Sequence, residues 1–124
     1  ALPIWFEINE KRKDLALVIV MDKSYSMVGP KLELSKEAAK AALERFSWGL
    51  AAELGSHNIA VNVLKPLRPV ITEGFRAQRP DGDFSTWATP EAMVKAAIHL
   101  AGQDAHGLTG ATVTAEELVQ RLTL

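Results

Sequence analysis

Apolar and polar positions divide the chain into segments of alternating character. Leu15-Ala-Leu-Val-Ile-Val-Met21 is continuously apolar and rich in β-branched residues. That pattern predicts a central parallel strand covered on both faces, since a strand with one wet face alternates instead. Lys11–Asp14 is a polar turn before it, and Pro3–Asn9 reads either as a short edge strand or as an extended arm. Beyond Gly29-Pro30 the period becomes helical: Leu34, Ala38, Ala42, Phe46, Leu50 and Leu54 recur every four residues, with Ala39 and Leu43 widening the stripe. A core-facing helix over 30–54 is expected, with Gly55 as its left-handed cap. Ile59-Ala-Val-Asn-Val-Leu64 predicts a second buried strand, which closes a right-handed strand-helix-strand unit.

Residues 65–88 hold three of the six prolines and no clear period, which predicts a long loop. Thr89-Pro90-Glu91 has the residues of a helix start. The helix it opens places Met93, Ala96, Ala97 and Leu100 on one face, and Val94, Ile98 and Ala101 leave it apolar enough to be largely buried, ending at Gly102. Gly110–Thr114 reads as a short strand, and Thr114-x-x-Glu117 as a capping box opening a last helix with Leu118, Val119 and Leu122. The expected fold class is α/β: a single three-layer domain over 1–124, with about three parallel strands, the additional edge-strand candidate, and helices packed on the sheet.

Composition narrows the classes of function. With 124 residues a true core is attainable without staples. No cysteine is present, so disulfides, thiolate metal sites and a cysteine nucleophile are excluded. Fourteen Lys and Arg against 15 Asp and Glu leave a net charge of −1, which argues against nucleic acid as a partner. The longest apolar run is too short to span a bilayer and no secretory pattern opens the chain, so a soluble protein of open location is expected.

Two stretches resemble known families. Asp22-x-Ser24-x-Ser26, following an apolar strand and preceding Gly29-Pro-Lys-Leu-Glu-Leu34, resembles the metal-ion-dependent adhesion site of von Willebrand factor A domains over about residues 1–40, with Tyr25 where that family has Gly. The resemblance implies Asp22, Ser24 and Ser26 as metal ligands. A carboxylate and two hydroxyls at a strand end are suitable hard donors, yet three oxygens serve Mg²⁺ poorly, so weak Mg²⁺ or Mn²⁺ binding or none is expected, and no other cofactor. From about Lys40 onward, Ala41–Leu54, His57–Pro66, Val70–Gly74, Thr89–Met93 and Leu108–Thr114 resemble the carboxyl-terminal half of short-chain dehydrogenase/reductases, which implies a Rossmann-like arrangement. That register puts Lys40 at the family's catalytic lysine, Lys36 where its tyrosine belongs, and Thr72 at the residue that meets the nicotinamide carboxamide. The Gly-rich phosphate turn is absent from the sequence.

The two resemblances meet inside one helix, so an artificial or recombined α/β chimera without catalytic activity or a small-molecule substrate is the expected reading. The alternatives are a divalent-metal-dependent protein-binding module and a remnant NADP-dependent reductase. Other candidate groups have plainer roles. His57, His99 and His106 are scattered, Asp81-Gly-Asp83 suits a turn, and Lys36 with Lys40 suits a solvated helix face. A half-sized sheet would leave apolar surface around Trp5, Trp48 and Trp87 to be covered, so a homodimer is the expected state, without nucleic acid or membrane partners.

Overall fold

The computed structural model describes residues 15–21 and 30–124, residues 30–33 as backbone only. Pro3–Asn9, Trp5 and the Asp22, Ser24, Ser26 triplet lie outside the described residues. Three parallel strands, β1 (Leu15–Val20), β2 (Ile59–Lys65) and β3 (Thr112–Thr114), form one sheet in the order β1-β2-β3. Helices α1 (Pro30–Leu54), α2 (Glu73–Gln78), α3 (Glu91–Ala101) and α4 (Ala115–Leu122) complete the described elements.

The middle strand is the hydrophobic centre. Ala60, Val61, Val63 and Leu64 of β2 are fully buried. Leu64 packs with Ala96 and Leu100 of α3 and with Ala115 and Leu118 of α4. Its neighbour Lys65 reaches Glu44 on α1 instead. Successive strand residues point to opposite faces, so α1 covers one side of the sheet and α3 with α4 the other, which is the α/β three-layer arrangement expected. Burying a leucine such as Leu64 or Leu100 stabilises the fold by about 1.5–3 kcal/mol.

Five local expectations are corrected. β1 is the edge of the described sheet and not its centre: Leu15, Leu17 and Val20 are 49%, 40% and 58% exposed. The α1 stripe is not one face. A spacing of four residues advances about 400° in a helix, so it drifts by about 40° at each step and carries Leu34 to roughly the opposite side from Leu54. Leu34 and Phe46 are exposed, and the positions turned to the sheet follow alternating steps of four and three: Lys40, Glu44, Ser47, Ala51 and Leu54. Gly55 begins a 3₁₀ turn, and the left-handed residue is Asn58, at φ 58°. The α3 helix is buried on one face only, since Val94 and Ile98 are 55% and 69% exposed. At α4, Thr114 Oγ1 donates to the Glu117 carboxylate at 2.5 Å, and no side-chain cap reaches the backbone.

The segment 65–88 contains order that its prolines concealed. Thr72 caps α2, its Oγ1 accepting from Phe75 N at 3.3 Å. Val70 and Ala88 form an isolated parallel bridge. Phe75 and Phe84 each meet Trp87 edge-on at 5.1 Å, a favoured geometry for aromatic pairs. Trp87 therefore packs within its own segment. Trp48 is 58% exposed and lies under the Arg45 guanidinium, 5.0 Å from its ring centre.

Candidate functional site

Parallel strands place the ends of β1, β2 and β3 together, and open α/β sheets take their ligands outside those carboxyl ends. A cavity of about 410 Å³ lies there. The strands and the segment after β2 contribute Met21, Lys65, Pro66, Leu67 and Thr114, while α1 contributes Glu37, Lys40, Ala41 and Glu44. The helical residues sit at intervals of three, four and seven, so one face of α1 forms a wall. Two anchors hold the opposite wall: Met21 N donates to Leu64 O at 2.9 Å, and Leu67 N donates to Glu116 Oε2 at 2.9 Å.

The cavity's chemistry consists of two ammonium–carboxylate pairs. Lys40 Nζ lies 3.1 Å from Glu37 Oε1 and Lys65 Nζ lies 3.0 Å from Glu44 Oε1. The first pair joins residues three apart on one helix. The second joins a strand end to the helix across the sheet. All four groups keep some access to solvent, so each pair contributes roughly 0–1 kcal/mol to stability and both can exchange partners.

The structure brings together only part of the expected site. Lys40 lines the cavity, and Lys36, half-buried one turn earlier, does not. Thr72 lines a separate hollow of about 210 Å³ with Glu73, Arg76 and Pro90. Lys65 and Glu44 belong to no motif in the sequence. The signal available was modest: a lysine ending an otherwise apolar strand, 21 residues from a glutamate on a helix destined to cover that strand.

Other candidates have local partners. Asp83 accepts from Ser85 N at 2.9 Å, and this bond holds its carboxyl below the usual range. Asp104 accepts from the backbone N–H groups of His106 and Gly107, and its carboxyl is likewise lowered, the His106 bond being the larger cause. His106 Nδ1 lies 2.9 Å from Asn58 Oδ1, His57 Nδ1 3.1 Å from Ser56 Oγ, and His99 Nε2 3.3 Å from Gln103 Nε2. Among the described residues, no three His, Asp or Glu gather as a metal site would require.

No family model matches the chain, and no curated protein matches it. Solved structures do. A short-chain dehydrogenase from Mycobacterium thermoresistibile is 22% identical over 94% of this chain and 42% of its own, with a TM-score of 0.71. An oxidoreductase of the short-chain dehydrogenase/reductase family from Burkholderia thailandensis is 26% identical over 87% of this chain and 48% of its own, with a TM-score of 0.61. The angucycline C-6 ketoreductase LanV with bound NADP is 23% identical over 90% of this chain and 47% of its own, with a TM-score of 0.57.

The chain thus has the fold of part of these structures and spans less than half of their length. A superposition covering 94% of the chain leaves only a few residues outside it, so β1 and the front of α1 largely fall within the same fold as the rest. This overturns the reading of a non-catalytic chimera spliced near Lys40, and nothing in these superpositions supports a von Willebrand factor A segment. A continuous apolar strand followed by a helix is common to many α/β families, and over residues 1–40 that shared pattern does not tell them apart.

A dinucleotide can be tested against these residues. The cavity presents an ammonium, Lys40, at a strand-end position suited to hydroxyl groups. It also presents the carboxylates Glu37 and Glu44, which repel phosphates, and the sequence has no Gly-rich turn to cradle them. The residues fit a riboside end and not the pyrophosphate.

Proposed function

We propose that the chain is the carboxyl-terminal portion of an NAD(P)-dependent reductase of the short-chain dehydrogenase type, contributing the substrate side of the site. The observation that carries this reading is the 94% superposition, together with a strand-end cavity into which α1 brings Lys40. Lys40 holds ribose hydroxyls at the nicotinamide end, and its pairing with Glu37 orients the ammonium. When bound, the cofactor supplies hydride chemistry. The phosphate-cradling turn belongs to chain outside these 124 residues. In the register of the resemblance Lys36 stands at the tyrosine position, so that position offers no phenol to protonate a carbonyl.

A fluorescence titration of the chain with NADPH into the millimolar range tests this. Weak saturable binding, reduced at least tenfold by Lys40→Ala and unchanged by Arg68→Ala, is expected. Absence of any saturable signal at millimolar NADPH refutes the reading.

A further inference from the structure

Lys65 and Glu44 share the cavity with Lys40 but have no part in the cofactor contacts proposed above. We infer that the Glu44–Lys65 pair is a hydroxyl-reading site for a neutral ligand that carries a vicinal diol, an inference that rests on the reductase reading only for which ligands reach it. Each ammonium of the cavity has its own carboxylate within 3.1 Å, two of each sign. An entering anion must displace a carboxylate and leave it unpaired beside the new negative charge. An entering cation meets the converse penalty at the lysine.

A hydroxyl meets neither. One hydroxyl donates a hydrogen bond to the Glu44 carboxylate and a second on the adjacent carbon accepts one from the Lys65 ammonium, so a vicinal diol engages both groups and the charge balance is kept. Apolar surface completes the fit. Met21, Ala41, Pro66 and Leu67 line the same cavity and offer contact to the C–H faces of a carbon skeleton. The pair bridges the end of β2 and the middle of α1, so the two groups are positioned by different elements and the gap between them is set by the fold. A cavity of about 410 Å³ accommodates a ligand of sugar size, within the usual range for small-molecule sites.

A vicinal diol is carried both by a cofactor ribose and by a polyol substrate, and the experiment separates the two. Sorbitol, methyl β-D-ribofuranoside, inorganic phosphate and cyclohexanol are titrated against the 124-residue chain by saturation-transfer NMR, for the wild type, Lys65→Met, Glu44→Gln and Arg68→Met. At least one diol is expected to bind saturably, with affinity at least tenfold weaker in Lys65→Met and in Glu44→Gln and unchanged in Arg68→Met. Tighter binding of sorbitol assigns the pair to substrate, and tighter binding of the riboside assigns it to the cofactor's sugar.

Thermal unfolding of each variant confirms that it is folded. If Lys65→Met is not, Glu44→Asp withdraws the carboxylate by one methylene and is expected to weaken the diols in the same way. Binding of neither diol, equal binding in wild type and pair variants, or preference for phosphate or cyclohexanol would overturn the inference. An NADPH titration in parallel keeps the two readings apart: NADPH binding without diol binding sinks the hydroxyl site alone, and diol binding without NADPH binding sinks the reductase reading alone.

Discussion

Replacing Asn62 by alanine tests how the last strand is held. Asn62 is 1% exposed in the middle of β2, where an unpaired polar side chain would be costly. Its Nδ2 donates to Leu108 O at 2.7 Å and its Oδ1 accepts from Ala111 N at 3.2 Å, so one amide satisfies both ends of the turn that leads into β3. Around it, Val61 N donates to Thr109 Oγ1, Gly110 N to Val61 O, and Val63 N to Ala111 O. Alanine removes two hydrogen bonds of about 1 kcal/mol each and leaves a carbonyl and an amide to find water, a further cost of about 1–3 kcal/mol. The expected loss is about 3 kcal/mol, and about 10 °C in Tm for a domain of this size. Denaturant unfolding gives the first number, and hydrogen exchange at Ala111 reports the local opening. Asn62→Asp keeps the acceptor, loses the donor and buries a charge, so it is expected to be worse than alanine at neutral pH and to recover as the carboxyl is protonated. A loss below about 1 kcal/mol in Asn62→Ala, with Ala111 exchange unchanged, refutes the claim that this amide clamps the turn.

Three further outcomes are expected. The Asp104 carboxyl is held low by backbone donors, so its contribution is present above the ordinary value of 3.8 and disappears as pH falls through the lowered folded value; Asp104→Asn is expected to flatten stability against pH below about 4 in acid titrations followed by circular dichroism. For Asp22, Ser24 and Ser26, a millimolar-class site would add about 0.4 kcal/mol at metal equal to Kd and about 1.4 kcal/mol at tenfold excess, read as a melting shift with Mg²⁺ that Asp22→Ala abolishes; no shift in the wild type removes them as ligands. If a second copy covers the exposed Phe46 and Trp48 of α1, sedimentation is expected to show a dimer that Phe46→Glu returns to monomer, and a monomeric wild type refutes that proposal.

Most of the fold was legible because burial and backbone chemistry leave plain traces. The bounds of α1, Pro30 to Leu54, follow from an N-terminal proline and a long helical run, and β2 from five apolar residues and Asn62 between polar ends. Less legible was anything set by what lies across space. Gly55 has the composition of a left-handed cap, yet the chain first tightens into a 3₁₀ turn and uses Asn58, whose side chain accepts from Ala105 N at 3.2 Å and so gains from the position. The α2 helix and the edge-on Phe75–Trp87–Phe84 cluster were hidden by prolines that suppress periodicity without preventing aromatic contact. At the site, Lys40 was visible through a motif, while Glu44 and Lys65 are joined only by the strand-helix crossover.

The mismatch at β1 is informative in itself. Its sequence is that of a strand buried on both faces, but in the described sheet it is an edge. Leu15 and Leu17 lie on the face of α1, opposite Ile59 and Val61 of β2, and remain exposed because α1 lies over the middle strand. Natural edge strands are blunted by charge, proline or bulges, and the interior of β1 carries none of these. Apolar residues at such positions are retained where something covers them. The reductase reading supplies that cover from the remainder of a chain more than twice this length, whereas a self-sufficient half-domain would require the strand to tolerate water. Charged substitutions at Leu17 separate these cases. In the isolated chain, Leu17→Lys is expected to cost less than about 1 kcal/mol, as for a half-exposed position. In a complete reductase built on this chain it is expected to be severely destabilising, because the same ammonium is then buried without a partner. Equal, small effects in both settings would mean that nothing covers β1.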